Sequence, residues 1–369
     1  MDRALREYLS LAAIGLVMLI FVFGTIWYLG QFSVQEAKSD NQLDLELSPG
    51  QSLALDLTGV ELEVVALESK EGAEMESKVI YEVTSTGRGE SNAQALAASM
   101  PAWAPASNGV RIEWHADLDD LALARGTGQS RIGKLRVEIP PGVHVQANSA
   151  LGCRFSGDFG SAGLSCQSTD GSAVMQGKAR SLEFNTVIGE IAVLLSGYVG
   201  WIDTRSVSGE TLLVGPVGEL KAQSSSGAIR VKLETAPISV SLITQSGEIA
   251  ASGLAGRVKA ETDTGLMRLA LGELESDDSL QVNTNSGDIE LFPNPDNDIE
   301  LSALSSVGMV WAPQAEAEIG KEFKIAPVTR PAARVVIRSE SGRIRLLSQN
   351  TIDPLVVPSP AAAETPDTP

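Results

Sequence analysis

The stretch Leu280-Gln-Val-Asn-Thr-Asn-Ser-Gly-Asp-Ile-Glu-Leu291 shows the pattern that decides the fold of this 369-residue chain. The same pattern, apolar-x-apolar-x-Ser/Thr-x-x-Gly, usually followed by x-apolar-x-apolar, occurs ten times at spacings of 18–22 residues, apart from a last gap of 34. Its glycines are Gly152, Gly171, Gly189, Gly209, Gly227, Gly247, Gly265, Gly287, Gly308 and Gly342. Its hydroxyl residues are Ser149, Ser168, Thr186, Ser206, Ser224, Thr244, Thr262, Thr284, Ser305 and Ser339.

A fixed period near 19 residues predicts a solenoid, because each repeat can bury its apolar side only against its neighbours. Inside the repeat the apolar residues alternate, which indicates strands with one inward face. The glycine is expected to supply a turn by adopting positive φ, and a second corner falls at Gly197, Gly215 and Gly253. We therefore predict an all-β, right-handed parallel β-solenoid over residues 141–347, with about ten rungs of two strands each.

The column of Ser and Thr residues has two interpretations. The hydroxyls could lie inside the rungs and bond each other or the turn backbone. Alternatively, they could line a groove that binds a hydroxylated ligand. The constancy of this position in every narrow rung favours the structural interpretation.

The N-terminal segment 9–30 has 22 residues without a charge, which as a helix would be about 33 Å long and would cross a bilayer. A cleaved signal peptide is the alternative, but its apolar core is typically about 7–15 residues, and no convincing small-x-small cleavage site follows. Arg3 and Arg6 precede the span, whereas acidic residues dominate after it. We therefore expect a retained single-pass anchor in the bacterial cytoplasmic membrane, with residues 1–8 in the cytoplasm and the remainder outside.

The rest of the chain divides by composition. Residues 31–41 are polar and acidic and are predicted to be a linker. Residues 42–140 alternate like strands but out of register with the repeats, and we expect an irregular β region that caps the solenoid, with a short helix over 91–100. Residues 348–369 are rich in proline and are predicted to be disordered.

Cys153 and Cys166 are the two cysteines of the chain. Outside the cytoplasm a disulfide between them is reasonable, and two buried free thiols are the alternative. The register is irregular at Cys153, and strict alternation would direct its side chain outward. The sequence leaves both states open.

The composition excludes several functional classes. A net charge of −19 disfavours nucleic acid, because phosphate binding needs clustered cations. The two histidines have no cysteine ligand beside them, and no nucleophile elbow, phosphate loop or dinucleotide motif occurs, so no metal or cofactor is predicted. Acidic residues follow four of the repeat glycines, and they could form a Ca²⁺ row or simply solvated corners. These residues are Glu190, Glu210, Glu248 and Asp288.

Enlarged loops interrupt the repeats at 273–279, 293–298 and 313–328. Inserted loops of this kind often carry binding, although tolerated sequence drift explains them equally well. The first two loops contain close carboxylates that could serve a carbohydrate-active enzyme. Those residues are Asp277, Asp278, Asp296 and Asp298.

Four phrases resemble the bacterial "putative adhesin" β-strand-repeat family, a domain of unknown function. They are Gln245-Ser-Gly-Glu-Ile249, Asn285-Ser-Gly-Asp-Ile-Glu-Leu291, Glu340-Ser-Gly-Arg-Ile-Arg-Leu346 and the lead-in Leu135-Arg-Val-Glu-Ile-Pro-Pro-Gly142. The resemblance covers roughly residues 42–347. It implies the repeat fold and a location in the cell envelope, often with a membrane tether, and it implies no catalytic residues.

Together, these observations predict a membrane-anchored extracytoplasmic solenoid. Its function is expected to be that of a non-enzymatic binding, adhesion or scaffold module of the envelope. Its partner would be an extracytoplasmic protein or an envelope polymer. The alternative is an enzyme that acts on an envelope polysaccharide through the loop aspartates.

Overall fold

The computed structural model describes residues 34–68, 77–88, 102–115, 130–313, 315–317, 320–328 and 332–347. Within these ranges no helix is long and apolar enough to cross a membrane. The predicted stub 1–8, anchor 9–30, helix 91–100 and tail 348–369 lie outside the described residues, as do the first three residues of the predicted linker.

The described chain is built from strands. The first group is β1 (Val34–Leu45), β2 (Ser52–Thr58), β3 (Val60–Ala66), β4 (Ser77–Arg88), β5 (Ala102–Ala106), β6 (Gly109–His115) and β7 (Ser130–Ile139). The repeats contain β8 (His144–Ser149), β9 (Gly152–Asp158), β10 (Gly163–Ser168), β11 (Ser172–Lys178), β12 (Ser181–Thr186), β13 (Ile191–Leu195), β14 (Val199–Ser206), β15 (Thr211–Gly215), β16 (Val217–Ser224), β17 (Ile229–Leu233), β18 (Ser239–Thr244), β19 (Ile249–Leu254), β20 (Arg257–Thr262), β21 (Met267–Leu271), β22 (Ser279–Thr284) and β23 (Ile289–Phe292). The last group is β24 (Ile299–Ser305), β25 (Val310–Ala312), β26 (Ala315–Ala317), β27 (Phe323–Ile325), β28 (Ala333–Ser339) and β29 (Ile344–Leu346).

These strands form two long sheets. Sheet A has 15 strands in the order β1-β4-β7-β3-β9-β11-β13-β15-β17-β19-β21-β23-β29-β25-β26. Sheet B has 14 strands in the order β27-β24-β28-β22-β20-β18-β16-β14-β12-β10-β8-β2-β6-β5. From β8 to β23 the chain alternates between the sheets, and each strand from β8 to β21 pairs in parallel with the strand of the next repeat, as in Ser168↔Thr186 and Thr244↔Thr262. The predicted all-β fold with largely parallel sheets is confirmed.

The N-terminal region 42–140 is more regular than the sequence suggested. Strand β2 pairs in parallel with both β8 and β6, and β3 pairs in parallel with both β9 and β7. A complete rung, β2 with β3, therefore lies between the repeats and an outer rung formed by β6 and β7. Antiparallel β5 and β4 add to that outer rung. Sequence periodicity shows only the order of strands along the chain. Because these strands are stacked in a different order, the sequence pattern led to the prediction of an irregular cap.

Part of the predicted linker belongs to this cap. Residues 34–41 form the first part of β1, which pairs antiparallel with β4 along its whole length, from Val34↔Arg88 to Leu45↔Ser77. The linker prediction is therefore wrong for residues 34–41. A polar, charged strand at a sheet edge is favourable, because it discourages pairing with other chains.

The C-terminal end is also stacked out of chain order. The last rung in sequence, β28 with β29, lies between β22/β23 and β24/β25. The extra residues 313–328 contain β26 and β27, which pair antiparallel with β25 and β24. The insertion thus extends the outermost rung at both sheet edges, and the 34-residue gap reflects this arrangement.

The core consists of alternate side chains that point between the two sheets. Phe155 and Phe184 stack with ring centroids 5.6 Å apart and an interplanar angle of 12°, and Phe159 lies edge-on to Phe155 at 6.2 Å. All three are fully buried. Rings of this size fill the narrow space that a two-strand rung leaves.

One rung places two hydroxyl groups in this core. Thr204 of β14 and Thr211 of β15 are both 0% exposed, and neither Oγ1 atom has a hydrogen-bond partner in the described protein. Neighbouring rungs fill the position of Thr211 with Ile191 and Ile229. A buried hydroxyl without a partner keeps its desolvation penalty.

We therefore expect Thr211→Val to raise the free energy of unfolding by about 1 kcal/mol, measured by equilibrium urea denaturation. Thr244→Val is the matched control, because Thr244 Oγ1 accepts a hydrogen bond of 3.0 Å from the Gly247 N–H. Its loss should lower stability by about 1–3 kcal/mol, since the buried N–H is left without a partner. Changes of the same sign in both variants would contradict the prediction.

Candidate functional site

The Ser/Thr column lies inside the turn that joins sheet B to sheet A, here named corner 1. All ten side chains are buried, at 8% exposure or less. In eight rungs the hydroxyl oxygen accepts a hydrogen bond of 2.8–3.0 Å from the N–H of the glycine three residues later. In the other two, Thr186 donates to the carbonyl of Gly189 and Ser149 donates to that of Val60. These buried hydroxyls therefore hold turn backbone, and three of them, in Ser168, Thr186 and Ser206, belong to residues that also line an open depression.

The glycines of corner 1 have a different role from the expected one. Among them only Gly152 and Gly189 have φ in the left-handed region, at 99° and 144°. At the other eight, a Cβ atom would lie 1.6–2.2 Å from a backbone atom of the neighbouring rung. The explanation by positive φ is wrong for these eight positions, and the reason for glycine is the close stacking of successive turns.

The two cysteines form a disulfide bond, with the sulfur atoms 2.09 Å apart. Cys153 lies on β9 and Cys166 on β10, so the bond joins the two sheets within the first repeats. Both residues are at most 2% exposed. The irregular register at this position is confirmed, because Gly152 pairs with Ser172 and not with Gly171. The shift of one residue places Cys153 beside Ala173, so its side chain faces inward and the outward direction expected from strict alternation is wrong.

Arginine side chains contact most of the acidic residues that follow the corner glycines. Arg230 lies 2.6 Å from Glu210 and 3.8 Å from Glu248, and Arg268 lies 3.0 Å from Glu248. The row continues through Glu290, which contacts both Arg268 and Arg345, while Arg343 contacts Asp288. The carboxylates therefore alternate with guanidinium groups across the outer face of sheet A. Among the described residues, no group of three or more His, Cys, Asp or Glu side chains could hold a metal ion.

The loop aspartates proposed for catalysis serve partly as loop supports. Asp278 accepts a hydrogen bond of 2.9 Å from the N–H of Glu275, and Asp298 accepts one of 2.7 Å from the N–H of Val328. The structure brings the two loops together through Asn297, whose side chain bonds the backbone of Leu274 and Gly272. Asp277 and Asp296 are exposed to solvent.

The outer face of sheet B was not anticipated from the repeat pattern. Across β8, β10 and β12, eight of the nine outward positions are uncharged, with histidine counted as neutral. We name this surface the amide face. Its residues are His144, Gln146, Asn148, Gly163, Ser165, Gln167, Ser181, Glu183 and Asn185.

Two features border the amide face. At the corner 1 side an open depression of ≈ 310 Å³ is lined by Gln167, Asn185 and Val187, among others. At the opposite side Trp201 of β14 is 44% exposed and lies beside Ser181 in the strand register.

Further along sheet B the outer face becomes charged. Lys259 lies 2.8 Å from Glu261 on β20. Partial burial raises the pKa of Glu261, but hydrogen bonds from Lys259 and Asn283 outweigh burial and hold that pKa below its usual value. The amide face thus differs from the outward rows of β14, β16 and β20, which carry charges, whereas the rows of β18 and β22 are uncharged as well.

Residues 109–347 match the Toastrack DUF4097 family. The chain belongs to this family. The match begins at the first residue of β6, in the outer N-terminal rung, and ends after β29. The family resemblance predicted from the Ser-Gly phrases is thereby confirmed.

Two solved structures are similar to this DUF4097 chain. One is described as a putative adhesin from Bacteroides fragilis, with 13% identity, coverage of 84% of this chain and 98% of that one, and a TM-score of 0.30. The other is described as a putative cell adhesion protein from Clostridium sporogenes, with 10% identity, coverage of 84% and 99%, and a TM-score of 0.22. The comparison with curated proteins gives no match.

Proposed function

We propose that this chain is a membrane-anchored, extracytoplasmic and non-enzymatic binding or scaffold module of the bacterial cell envelope. The observation that carries the proposal is that the buried turn residues and the exposed sheet faces of the repeats have separate roles. The repeated hydroxyls and glycines hold the turns internally, while two continuous sheet faces are left for contact with other molecules. The 14 strands of sheet B, at about 4.8 Å per strand, extend over roughly 60 Å. A rigid face of this length suits a partner that is itself extended.

The location rests on the sequence of the N-terminal segment. The uncharged span 9–30 and the preceding Arg3 and Arg6 favour a retained anchor with the solenoid outside the cytoplasm. Alkaline phosphatase fused after residue 369 is therefore expected to be active in cells. An inactive phosphatase fusion together with an active cytoplasmic reporter at the same position would reverse this orientation.

The binding function is tested with the full-length chain in detergent, incubated with isolated envelope polymers and envelope proteins. Retention on one of these fractions without chemical change of the polymer is the expected result. The appearance of new reducing ends in a polysaccharide, abolished by Asp296→Asn or Asp298→Asn, would instead establish the carbohydrate-active alternative. Asn at these positions keeps an oxygen acceptor for the loop backbone and removes the carboxylate chemistry. If no fraction retains the chain, the binding proposal is overturned.

A further inference from the structure

We propose that the amide face, with Trp201 at its border, binds an uncharged glycan chain. This inference rests on the proposed binding function and names the class of ligand. It is carried by the juxtaposition of planar amide side chains, small hydroxyl and glycine positions and one exposed aromatic ring on neighbouring parallel strands.

The register places the groups of the amide face in a compact array. Gln146, Ser165 and Glu183 stand side by side across three strands, and so do Asn148, Gln167 and Asn185. With strands about 4.8 Å apart and residues about 3.3 Å apart along a strand, the array measures roughly 10 by 13 Å. This area matches a few linked sugar rings, and the depression of ≈ 310 Å³ beside Gln167 and Asn185 extends it.

Several polar groups of this array are free to bind. Gln146 and Gln167 are exposed, and their side-chain amides have no hydrogen-bond partner among the residues that the structure describes. Asn148 donates to Asp56, which leaves its own amide oxygen as an acceptor. His144 Nδ1 accepts a hydrogen bond from the Gly163 N–H, so the proton of the neutral ring lies on Nε2. A primary amide offers a donor and an acceptor in one plane, which complements the paired hydroxyls of a sugar ring.

Trp201 supplies the apolar part of the proposed site. Its ring is 44% exposed, and its neighbours at the same register are Ser181 and Glu219. The small Ser181 side chain leaves the flank of the ring that faces the amide face open. An indole surface beside hydrogen-bonding groups matches a pyranose ring, which has an apolar C–H face and polar edges.

The charge of the surface selects an uncharged ligand. The nine positions of the amide face contain one acidic side chain, Glu183, and no Lys or Arg. The depression beside them is also lined by Arg205, whose charge is paired with the carboxylate of Asp203 at 2.9 Å. An anionic polymer would require cationic partners for its charges, and the whole chain has a net charge of −19. A protein partner would be expected to bury an apolar core at its contact, whereas eight of the nine positions are polar side chains.

The experiment is affinity electrophoresis and calorimetry of the full-length chain in detergent with cellotetraose, chitotetraose and maltotetraose, and with polygalacturonate as the anionic comparison. Binding of at least one uncharged oligosaccharide is expected, with weaker binding of polygalacturonate. Trp201→Ala should weaken binding roughly tenfold, because the ring loses its contact with the sugar face. Gln167→Ala should weaken binding severalfold.

The matched control is Trp311→Ala, which removes an indole ring of 37% exposure from sheet A. It should leave glycan affinity unchanged, and urea denaturation checks that both tryptophan variants are folded. An equal loss in both variants, or no binding of any uncharged oligosaccharide, overturns the glycan inference. If wild type and Trp201→Ala are then still retained on an envelope fraction, the general binding function stands without it. If wild type is not retained on any fraction, both proposals fail.

Discussion

Replacing Gly209 with alanine is expected to lower the free energy of unfolding by more than about 4 kcal/mol. The new Cβ atom would lie 1.6 Å from the carbonyl oxygen of Gly189 and 2.4 Å from its carbonyl carbon. Gly189 and Gly209 lie two residues before β13 and β15, respectively, and these strands pair in parallel and fix the distance between the two turns. The clash can therefore be relieved only by separating two rungs, which breaks their hydrogen bonds and opens the core. Equilibrium urea denaturation, followed by circular dichroism, measures the loss.

The control for this prediction is Gly200→Ala in the same repeat. Its Cβ atom would meet the carbonyl oxygen of Arg180 at 3.2 Å and no other atom within 4 Å. A shift of a few tenths of an ångström relieves that contact, so the change in stability should be about 1 kcal/mol or less. If the two alanine variants are equally stable, close stacking is not the reason for glycine at corner 1.

A second large effect is expected from Val240→Asp. Val240 is 2% exposed and lies between Leu220 and Val258 in the inward row of sheet B. A carboxylate at this position has no cationic partner and must be protonated or hydrated inside the core. We expect a loss of about 3–5 kcal/mol, seen as a lower urea midpoint at neutral pH. The loss should decrease as the pH falls, because protonation removes the buried charge.

Ser241→Asp tests the same substitution one residue later on the outer face. Ser241 stands between Lys221 and Lys259 in the strand register, so a carboxylate there gains two cationic neighbours. The expected change in stability is within about 0.5 kcal/mol of zero. A large destabilisation by Ser241→Asp, or none by Val240→Asp, would show that the assignment of the two faces is wrong.

Much of the repeat architecture could be predicted because it depends on local periodicity. Leu280, Val282 and Thr284 alternate with polar residues, and this alternation alone indicates which side of β22 faces inward. The Ser/Thr and glycine columns recur at one interval, and a constant interval requires each repeat to take the same place against its neighbours. The family resemblance rests on the same phrases.

The ends of the solenoid could not be predicted in the same way. The rung of β2 and β3 and the rung of β28 and β29 are each inserted between two rungs that follow one another directly in the chain. Nothing in the local pattern of a strand specifies which other strand it will lie beside. That choice depends on which stacking buries the most apolar surface and leaves the fewest open sheet edges.

The candidate site was missed for a related reason. Gln146, Gln167 and Asn185 each look like an ordinary outward residue of an alternating strand. They become a surface only because the parallel register brings residues about 20 positions apart to neighbouring places on one sheet. The sequence feature that could have indicated the site is the row of uncharged outward residues in a strongly acidic chain. This row can be recognised only once the strand register is known.

By itself, the sequence determined that this chain forms two-strand repeats with buried hydroxyls at the turns, since alternation and period are properties of neighbouring residues. Only the tertiary structure decided the order of the terminal rungs, the facing of Cys153 towards Cys166, and the close contact that requires glycine at Gly209. Each of these depends on distances between segments that are not adjacent in the chain. Those distances are set by packing of the whole molecule and not by the conformational preference of any one segment.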